Sequence, residues 1–544
     1  MRNTQDKRTG RRTVSPIGGW QNCLTTAANY VVKAFGLAIF AFLLWYALRY
    51  TWFIMPGGRE IPVEMHDSWW KNLLGLLAVC GLTAGFWFAE RKMSPARQQL
   101  VSGIAVILAA GWVGGLGLWW INAAVKVPYG DCAFVYGGAS YFLEGNFSFL
   151  DGPGGYCSMY PHQLGLIALT ELLFLAVGTY NFYAFQLLCV IFAMGIVFAG
   201  YLVLREMTAA ASAAVLYCMV SGCCIPLVFY TSWVYGDLPG TFFSVMTVWM
   251  LLRYGKSRRA GWLAGLVGMA TMAMLNRKNS MILIVALCLV VLVSMLKKRD
   301  WKLLLATALC IAVPWLSYMG VYKMYEIRSG YEHYPGIPTI TWIDMGLHDV
   351  GGVCGWYDDS AKQLYYSADR DAEQTAVLSA QRVRERLTEF AENPSYAATF
   401  FKKKILSQWN EPLYQSVYFN TVYEPENVPP EDSLAAKISG EYFSAVLSFC
   451  DRLQFVIYFG LFAYFLFGIR RDSDILQQIT AVTVIGGFLF SILWEAKARY
   501  IFPYYLMMFP FAVIGYQQAM KAATALIGRR KKRADNIIEF KKSA

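Results

Sequence analysis

The amino-acid sequence predicts an all-α polytopic membrane protein, and three features of the chain lead to that prediction. Of its 544 residues, 57% are hydrophobic and 15% are charged, whereas soluble domains carry about 25% charged residues. Apolar runs of about 20 residues, enough to cross a bilayer, recur along the chain. The basic residues cluster between those runs, as in cytoplasmic loops. The net charge of +12 therefore reflects membrane orientation, and we expect no nucleic-acid partner.

Twelve apolar segments are long enough to be predicted as spans, which gives a bundle of about 12 transmembrane helices. A further apolar run, 162–178, is ambiguous by composition alone. The twelve predicted spans lie near 31–55, 72–89, 100–121, 181–204, 210–230, 236–254, 261–275, 279–296, 303–323, 445–468, 476–494 and 499–518.

Basic clusters set the orientation of these spans, because Lys and Arg are enriched in cytoplasmic loops. Such clusters follow the second, sixth, eighth, tenth and twelfth spans, as in "GRRKKR" from Gly528 to Arg533. If 162–178 were a full span, every later cluster would face outward, so we expect it to lie along the outer surface or to re-enter. The segments 1–30 and 519–544 are then basic cytoplasmic tails of a multi-pass protein of the cell membrane.

This orientation places two long segments on the extracytoplasmic face. The outer loop 122–161 belongs to the first transmembrane part, 31–323, and 324–444 separates that part from the C-terminal helices at 445–518. The 324–444 segment is rich in Tyr, Glu and Asp, and "ENPS" interrupts its helical periodicity as a stop and restart. We therefore expect 324–444 to form a small, mostly helical extracytoplasmic domain.

Motifs for several other kinds of chemistry are missing from the sequence. It has no G-x-x-x-x-G-K-[ST] phosphate loop, no dinucleotide fingerprint and no G-x-S-x-G nucleophile elbow. With four His in the whole chain, we expect no His-rich metal site. Cys132 and Cys157 share the 122–161 loop and could form a disulfide if it is extracytoplasmic, but the sequence leaves this open.

Acidic residues at the membrane edge are candidate functional residues, because a charge is costly to bury there. Asp131 begins the outer loop in "VPYGDCAFVYGGASYFLEGN", and it is either a general base or a solvated loop acid or helix cap. Asp237 lies in "YTSWVYGDLPG" between two spans. There, a helix N-cap and a site residue are compatible interpretations.

Two basic groups accompany these acids on the predicted outer face. Arg277 and Lys278, in "LNRKNS", break the positive-inside pattern. They would suit an anionic lipid phosphate, unless they only extend to bulk lipid headgroups. The stretch "WEAKARYIFPYY" opens the last span with Glu495, Lys497 and Arg499, which are either site residues or an aromatic belt with a local ion pair.

The order of these motifs resembles the membrane glycosyltransferases of the GT-C superfamily. It resembles in particular the dolichyl-phosphate-mannose protein mannosyltransferase-like branch, including its bacterial cell-wall polysaccharide members. Asp131, Ala139 and Gly145 match its D…A…G spacing, and "YPHQLG" stands where a "YPP-L"-like stretch starts a surface helix. "GMATMAMLNRKNSMILI" and "EAKARYIFPYYLMMFPFA" match its "G-L-A-…-T-K" and "E-x-x-x-R-Y-x-x-P" patterns. The resemblance covers about 100–300 and 445–518, and "DC" replaces "DE" after the first acid.

The resemblance implies a GT-C-like bundle with an outer-face surface helix, and transfer of a hexosyl or related sugar from a polyprenyl-phosphate donor. It implies Asp131 as the catalytic base, Asp237 as a second catalytic acid, and inversion at the anomeric carbon. Some GT-C enzymes use a divalent cation, Mg²⁺ or Mn²⁺, but a monophosphate donor makes one less necessary, and we assign no metal ligand. Further implied roles are donor-phosphate binding by Arg277, Lys278 and Arg499, and substrate binding by Tyr160, His162, Glu495 and Tyr500.

The expected acceptor is an extracytoplasmic glycan, lipid or protein, and other functions remain open. A transporter or flippase of lipid-linked sugars would favour polar residues at mid-span depth, and a non-catalytic assembly protein would tolerate loss of Asp131. A glycan polymerase or ligase would need a wider outer cavity than a sequence can show. His162 has the alternative interpretation of an interfacial residue without chemistry.

Overall fold

Helices predominate in the computed structural model, which describes residues 16–124, 126–298, 300–421 and 427–543. The basic residues 1–15 of the predicted N-terminal tail lie outside the described residues. In chain order the elements are α1 (Pro16–Ala47), β1 (Tyr50–Ile54), β2 (Pro62–His66), α2 (Trp69–Glu90), α3 (Pro95–Ala123), α4 (Gly130–Leu143), α5 (Tyr156–Met159), α6 (Leu164–Val177), α7 (Phe182–Met207), α8 (Ala211–Gly222), α9 (Ile225–Phe229), α10 (Asp237–Ser257), α11 (Ala260–Asn276), α12 (Met281–Lys298), α13 (Trp301–Ser329), α14 (Thr339–Gly346), β3 (Asp349–Val350), β4 (Val353–Cys354), α15 (Ser360–Ser367), α16 (Ala372–Glu392), α17 (Pro394–Trp409), α18 (Ser416–Phe419), α19 (Leu434–Ser439), α20 (Phe443–Ala463), α21 (Ile479–Leu493) and α22 (Phe502–Ser543).

The predicted helical membrane fold is confirmed, although fewer helices than expected have the length and hydropathy of a span. Among the described residues, eight helices are long and apolar enough to cross a membrane, or nine if the bent pair Ala211–Gly222 and Ile225–Ser232 is one span. The predicted spans 236–254, 261–275 and 499–518 are helical as α10, α11 and α22. They are shorter or less apolar than the others. A helix packed against other helices needs a less continuous apolar surface than one that faces lipid.

The first predicted span, 31–55, is wrong at its C-terminal end. Helix α1 ends at Ala47, and β1 pairs antiparallel with β2 so that Trp52 lies opposite Glu64. The sequence "YTWFI" is aromatic and β-branched, which suits a strand, and a short apolar run does not distinguish strand from helix. The tip of this hairpin carries Glu60 into the candidate site described below.

The ambiguous apolar run 162–178 contains α6, which has 14 residues. At 1.5 Å per residue it is about 21 Å long, short of the roughly 30 Å of a bilayer core. Both carboxylate oxygens of its Glu171 accept hydrogen bonds of 2.9 Å from Arg328, and Tyr325 donates another at 2.6 Å. These contacts fix α6 to α13, and its length agrees with the expected surface or re-entrant position.

Part of the predicted 324–444 domain is built into the helical bundle. The indole of Trp409, at the end of α17, is fully buried and lies 5.3 Å from the ring of Phe488 in α21. Tyr414 lies 4.7 Å from the ring of Tyr505 in α22. Residues after α17 therefore form a wall of the bundle.

Cys132 and Cys157, which the sequence left open as a disulfide pair, are not joined by a disulfide. Both residues are buried and both are free thiols in the structure. Cys157 is fully buried, and burial raises the pKa of its thiol. These two residues therefore act as small packing side chains.

An ionic cluster links α14 to α15. The Nε2 atom of His348 lies 3.2 Å from an oxygen of Asp344, and its Nδ1 atom lies 3.0 Å from an oxygen of Asp358. Hydrogen bonds to Asp344 and Asp358 raise the pKa of His348 to about 9, although burial opposes the shift. The imidazole is therefore protonated at neutral pH and holds the two carboxylates together.

We expect this cluster to make the free energy of unfolding fall as the pH becomes alkaline. Because the pKa of His348 rises on folding from about 6.5, its contribution is fully present below pH 6.5 and is lost as pH rises through about 9. Unfolding of wild type and His348→Gln in detergent should differ by about 2 kcal/mol at pH 6, and the difference should vanish by pH 10. A difference that stays constant over this range would contradict the assignment.

Candidate active site

Four separate parts of the chain meet at one end of the bundle. They are the first turn of α4, the start of α10, the break between α11 and α12, and the turn that precedes α22. An ion pair joins Asp237 to Arg277, and Arg277 and Arg499 both lie over the ring of Tyr500. The structure therefore brings together acids and bases that are up to several hundred residues apart in sequence.

Asp237 is the first residue of α10 and is 1% exposed. One carboxylate oxygen lies 2.9 Å from Nη2 of Arg277, and the other accepts a hydrogen bond of 3.1 Å from the indole N–H of Trp233. No side-chain cap is formed at this helix end, where Gly236 is the N-cap. The carboxylate of Asp237 therefore forms an ion pair with the guanidinium of Arg277, an interaction that a helix N-cap alone would not need.

Two glycines of "GDLPG" allow this ion pair to form. A Cβ atom on Gly236 would lie 2.1 Å from the backbone oxygen of Asn276, and one on Gly240 would lie 2.6 Å from Cβ of Arg277. Both distances are far below van der Waals contact, so the backbone of α10 approaches the α11–α12 break only because these positions lack side chains.

Substitution of Gly240 by Ala should therefore displace Arg277. We expect Gly240→Ala to weaken the binding of a lipid phosphate by at least tenfold and to reduce thermal stability, because overpacking typically costs about 1–3 kcal/mol. Gly261→Ala in α11 is the matched control, since nothing lies within 4 Å of the added methyl group. Equal binding by the two variants would contradict the proposed close contact.

Arg499 is a buried cation inside an aromatic box. It is 5% exposed, and its guanidinium carbon lies 5.2 to 5.6 Å from the ring centres of Trp233, Tyr235, Phe419 and Tyr500. Within the described chain no carboxylate is in ion-pair distance of Arg499, and its Nε atom has no hydrogen-bond partner. Burial opposes its charge, while the more distant charges of Asp237 and Asp131 raise its pKa. Such a cation is incompletely neutralised by the protein itself.

Glu495, Lys497 and Tyr500 form a second polar group beside Arg499. Tyr500 donates a hydrogen bond of 2.9 Å to Glu495, and the ammonium of Lys497 lies 3.7 Å from the other oxygen of that carboxylate. Burial raises the pKa of Glu495, although Lys497 opposes the shift. Lys497 also lies 3.1 Å from Glu60 at the tip of the β1–β2 hairpin.

Asp131 lies in the first turn of α4, where the helix dipole favours a negative charge. The N-cap of that helix is Tyr129, so Asp131 is not its cap. The hydroxyl of Tyr156 donates to Asp131 at 3.4 Å, and the ring of Tyr156 lies 5.2 Å from that of Tyr160. The carboxylate is partly exposed, so a substrate hydroxyl can reach it.

Tyr160 lies near the carboxylate of Asp131, and His162 lies near Arg277 and Lys278. Burial raises the pKa of Tyr160, and the charge of Asp131 adds to the shift. Burial lowers the pKa of His162 to about 3, with smaller effects from Lys278 and Arg277. His162 is therefore neutral and can offer hydrogen bonds but no charge. Lys278 is exposed.

A pocket lies at the head of α12. Arg277 and Tyr500 line one end, while Leu283, Pro503 and Met507 supply apolar walls. It therefore combines a basic end with an apolar flank between transmembrane helices, which is the chemistry of a lipid carrying a phosphate.

A divalent cation does not fit at Asp237. Among the described residues, no group of three or more His, Cys, Asp or Glu side chains is arranged to hold a metal ion. Both oxygens of Asp237 already have partners, Arg277 and Trp233, and Arg499 adds a second positive charge nearby. A cation at Asp237 would have to displace a guanidinium, so we assign no step to a metal.

Part of the chain matches the model of a known family. The model of a family described as dolichyl-phosphate-mannose-protein mannosyltransferase matches residues 165–318. The resemblance predicted from the sequence is confirmed. The part that matches this mannosyltransferase family contains Asp237, Arg277 and Lys278, whereas Asp131 and Arg499 lie outside it.

One solved structure is similar to this chain at low identity. The archaeal oligosaccharyltransferase AglB from Archaeoglobus fulgidus, in complex with an inhibitory peptide and a dolichol-phosphate, has 13% sequence identity and a TM-score of 0.42. The similarity covers 80% of this chain and 52% of AglB, so the chain spans about half the length of that enzyme. No curated protein matches the sequence.

Several residues of the site were not predicted from the sequence. Gln415 accepts a hydrogen bond of 3.0 Å from the backbone N–H of Arg499 and donates one of 2.6 Å to Glu60. Its backbone, like that of Tyr414, is in the left-handed region, with φ of 62° and 50°. Backbone strain at two adjacent residues other than glycine is typical of functional sites. The only sequence signal for Gln415 is its place in the stretch "NEPLYQS".

Proposed function

We propose that this protein is a membrane glycosyltransferase that moves a sugar from a polyprenyl phosphate to an extracytoplasmic acceptor of the cell envelope. The observation that carries the proposal is Arg499, a buried guanidinium without a carboxylate in ion-pair distance among the described residues. A buried cation is costly unless an anion neutralises it. Tyr500, whose ring centre lies 5.5 Å from the guanidinium carbon of Arg499, lines a pocket that also contains Arg277 and apolar walls, so the anion that fits is a phosphate on a lipid.

The reaction follows from the placement of the charges. Asp131 takes the proton from the acceptor hydroxyl, and that oxygen forms a bond to the anomeric carbon of the donor. The bond between this carbon and the phosphate oxygen breaks, and its electron pair leaves with the polyprenyl phosphate. Arg277 and Arg499 stabilise the added negative charge on the leaving group. A single displacement of this kind inverts the configuration at the anomeric carbon.

The remaining site residues position these groups. Asp237 orients Arg277 through their 2.9 Å ion pair, and it therefore acts through Arg277 rather than as a base. Lys278, which is exposed and adjoins Arg277 in the chain, attracts the phosphate. Tyr160 and neutral His162 bind substrate hydroxyls near Asp131, and Glu495 and Tyr500 do so near the phosphate.

The face of the membrane follows from the positive-inside rule. Basic clusters such as Arg253, Lys256 and Arg258 lie at the opposite ends of the helices from Asp131 and Arg499. Because such clusters remain on the cytoplasmic side, we place the site on the extracytoplasmic face of the cell membrane. Its acceptor is then a glycan, lipid or protein of the envelope.

The proposal is tested by a transfer assay with the purified, folded protein in proteoliposomes. Polyprenyl-phosphate glucose, mannose and galactose serve as donors, and an envelope extract serves as the source of acceptors. We expect sugar on an acceptor together with free polyprenyl phosphate from at least one donor. Movement of an intact donor across the bilayer, with no bond cleaved, would favour a flippase instead.

A further inference from the structure

The connection between α17 and α18, residues 410–415, is buried although it forms turns rather than a helix or a strand. Loops usually run over a protein surface, because buried backbone groups need hydrogen-bond partners. Tyr414 and Gln415 have φ of 50° and 62°, a left-handed conformation that persists only where the surroundings hold it. The contacts of this connection, which we call the Gln415 loop, therefore show what fixes it and what it fixes in turn.

Glu411 fixes the Gln415 loop from within. Its side chain is 1% exposed, and its two carboxyl oxygens accept hydrogen bonds from the backbone N–H groups of Leu413 at 3.1 Å and Gln415 at 2.7 Å. The backbone oxygen of Tyr414 accepts a hydrogen bond of 2.6 Å from the hydroxyl of Tyr230. Backbone N–H groups of neighbouring residues that turn toward one carboxyl group form an anion-binding nest. Glu411 therefore stabilises the left-handed conformation of the loop.

The side chain of Gln415 joins two parts of the candidate active site. It is 1% exposed, and its Oε1 atom accepts a hydrogen bond of 3.0 Å from the backbone N–H of Arg499. Its Nε2 atom donates a hydrogen bond of 2.6 Å to Glu60, which lies 3.1 Å from the ammonium of Lys497. One buried amide therefore ties the turn before α22 to the tip of the β1–β2 hairpin.

The guanidinium of Arg499 has few contacts of its own that fix its position. Within the described part of the chain it forms no ion pair, and its Nε atom has no hydrogen-bond partner. Its guanidinium carbon lies 5.2 to 5.6 Å from four ring centres. A group that stabilises developing charge has to be in place before the reaction. The place of this guanidinium therefore depends on the backbone that carries it.

We propose that Gln415 and Glu411 are positioning residues for Arg499. Glu411 fixes the loop, and Gln415 fixes the backbone of Arg499, so that its guanidinium meets the phosphate. The inference rests on the proposed function and extends it to two residues that do not line the pocket of the lipid phosphate. Both residues act through Arg499 and not on the reacting atoms.

The test uses two variants of the full chain and one matched control. Gln415→Met removes both side-chain hydrogen bonds at similar volume. Glu411→Gln replaces one carboxyl oxygen by an NH₂ group, which cannot accept from a backbone N–H. The control is Gln478→Met, because Gln478 is also buried and accepts a hydrogen bond of 2.9 Å from Tyr464, but lies at the N-terminal end of α21.

Two quantities are measured on the detergent-purified variants, each with Arg499 and with Arg499→Met. They are the hydrogen-exchange rate of the residue 499 amide and the affinity for polyprenyl phosphate. We expect Gln415→Met and Glu411→Gln to speed that exchange and to weaken binding roughly tenfold. With Arg499→Met in place, the same substitutions should weaken binding by less than about twofold, because residues that act through one group are not additive. Gln478→Met should match wild type in both measurements.

The contrary results are distinct from a failure of the proposed function. Equal losses of affinity with and without Arg499 would make the Gln415 loop a purely structural element and overturn the inference. Unchanged exchange at residue 499, or unchanged affinity in Gln415→Met, would overturn it as well and leave the glycosyltransferase standing. Absence of polyprenyl phosphate binding by wild type would contradict the proposed function, and the inference with it.

Discussion

Replacement of Asp131 by Asn should reduce sugar transfer by about 10²–10⁴-fold, because a general base contributes a factor of that size. Asn has nearly the same shape and can still accept the hydrogen bond from Tyr156. The first turn of α4 loses only its favourable charge, worth about 0.3–1 kcal/mol. We therefore expect normal folding and normal donor binding in the variant. Initial rates at saturating donor, with binding measured separately, separate the chemical step from affinity.

The control for this variant is another acid of the same outer loop. Asp151 is exposed and follows a short 3₁₀ helix, and Asp151→Asn removes the same charge without touching Asp131. We expect nearly wild-type transfer from this control. Equal transfer by Asp131→Asn would remove Asp131 from the mechanism and leave Asp237 as the next acid to test.

Replacement of Arg499 by Met should reduce transfer by about 10²–10³-fold, since loss of one preorganised group that stabilises developing charge has that effect. The same substitution should leave stability unchanged or increase it. Arg499 has no carboxylate at ion-pair distance among the described residues and is enclosed by aromatic rings, so an apolar side chain of similar length packs there without a buried charge. Binding of polyprenyl phosphate should weaken in parallel.

Arg386 serves as the control, because we expect its replacement by Met to have the opposite effects on stability and on transfer. Arg386 also lies among aromatic rings, those of Phe390, Tyr396 and Phe400, but it donates a hydrogen bond of 2.7 Å to the backbone oxygen of Leu347. Arg386→Met should therefore destabilise the fold and leave the chemistry per folded molecule intact. If Arg499→Met behaved in this way instead, Arg499 would be a structural residue and not a phosphate ligand.

The sequence was sufficient to predict that the charged residues share one end of the bundle. Alternating spans and the positive-inside rule place Asp131, Asp237, Arg277 and Arg499 on the same face, and the structure joins Asp237 to Arg277 at 2.9 Å. That ion pair was beyond sequence reasoning, because it depends on two glycines that let helices approach. The catalytic role of Asp131 remains a prediction.

Other features could not be predicted because local composition does not determine them. The strand β1 lies within an apolar run that suited a helix equally well. Gln415 contacts Glu60, which is 355 positions away, and single-sequence patterns carry no information about such pairs. Eight or nine of the twelve predicted spans meet the measure of length and hydropathy among the described residues, and the other three are the helices α10, α11 and α22.

The central claim is that a sugar leaves a lipid phosphate held by Arg277 and Arg499. The most direct test uses a donor labelled separately in its sugar and in its lipid, incubated with wild-type protein and acceptor in proteoliposomes. The account predicts that one free polyprenyl phosphate appears for each sugar transferred, at equal rates, and that both labels stay together with Arg499→Met. Release of neither label, with the intact donor appearing in the opposite leaflet, would contradict it.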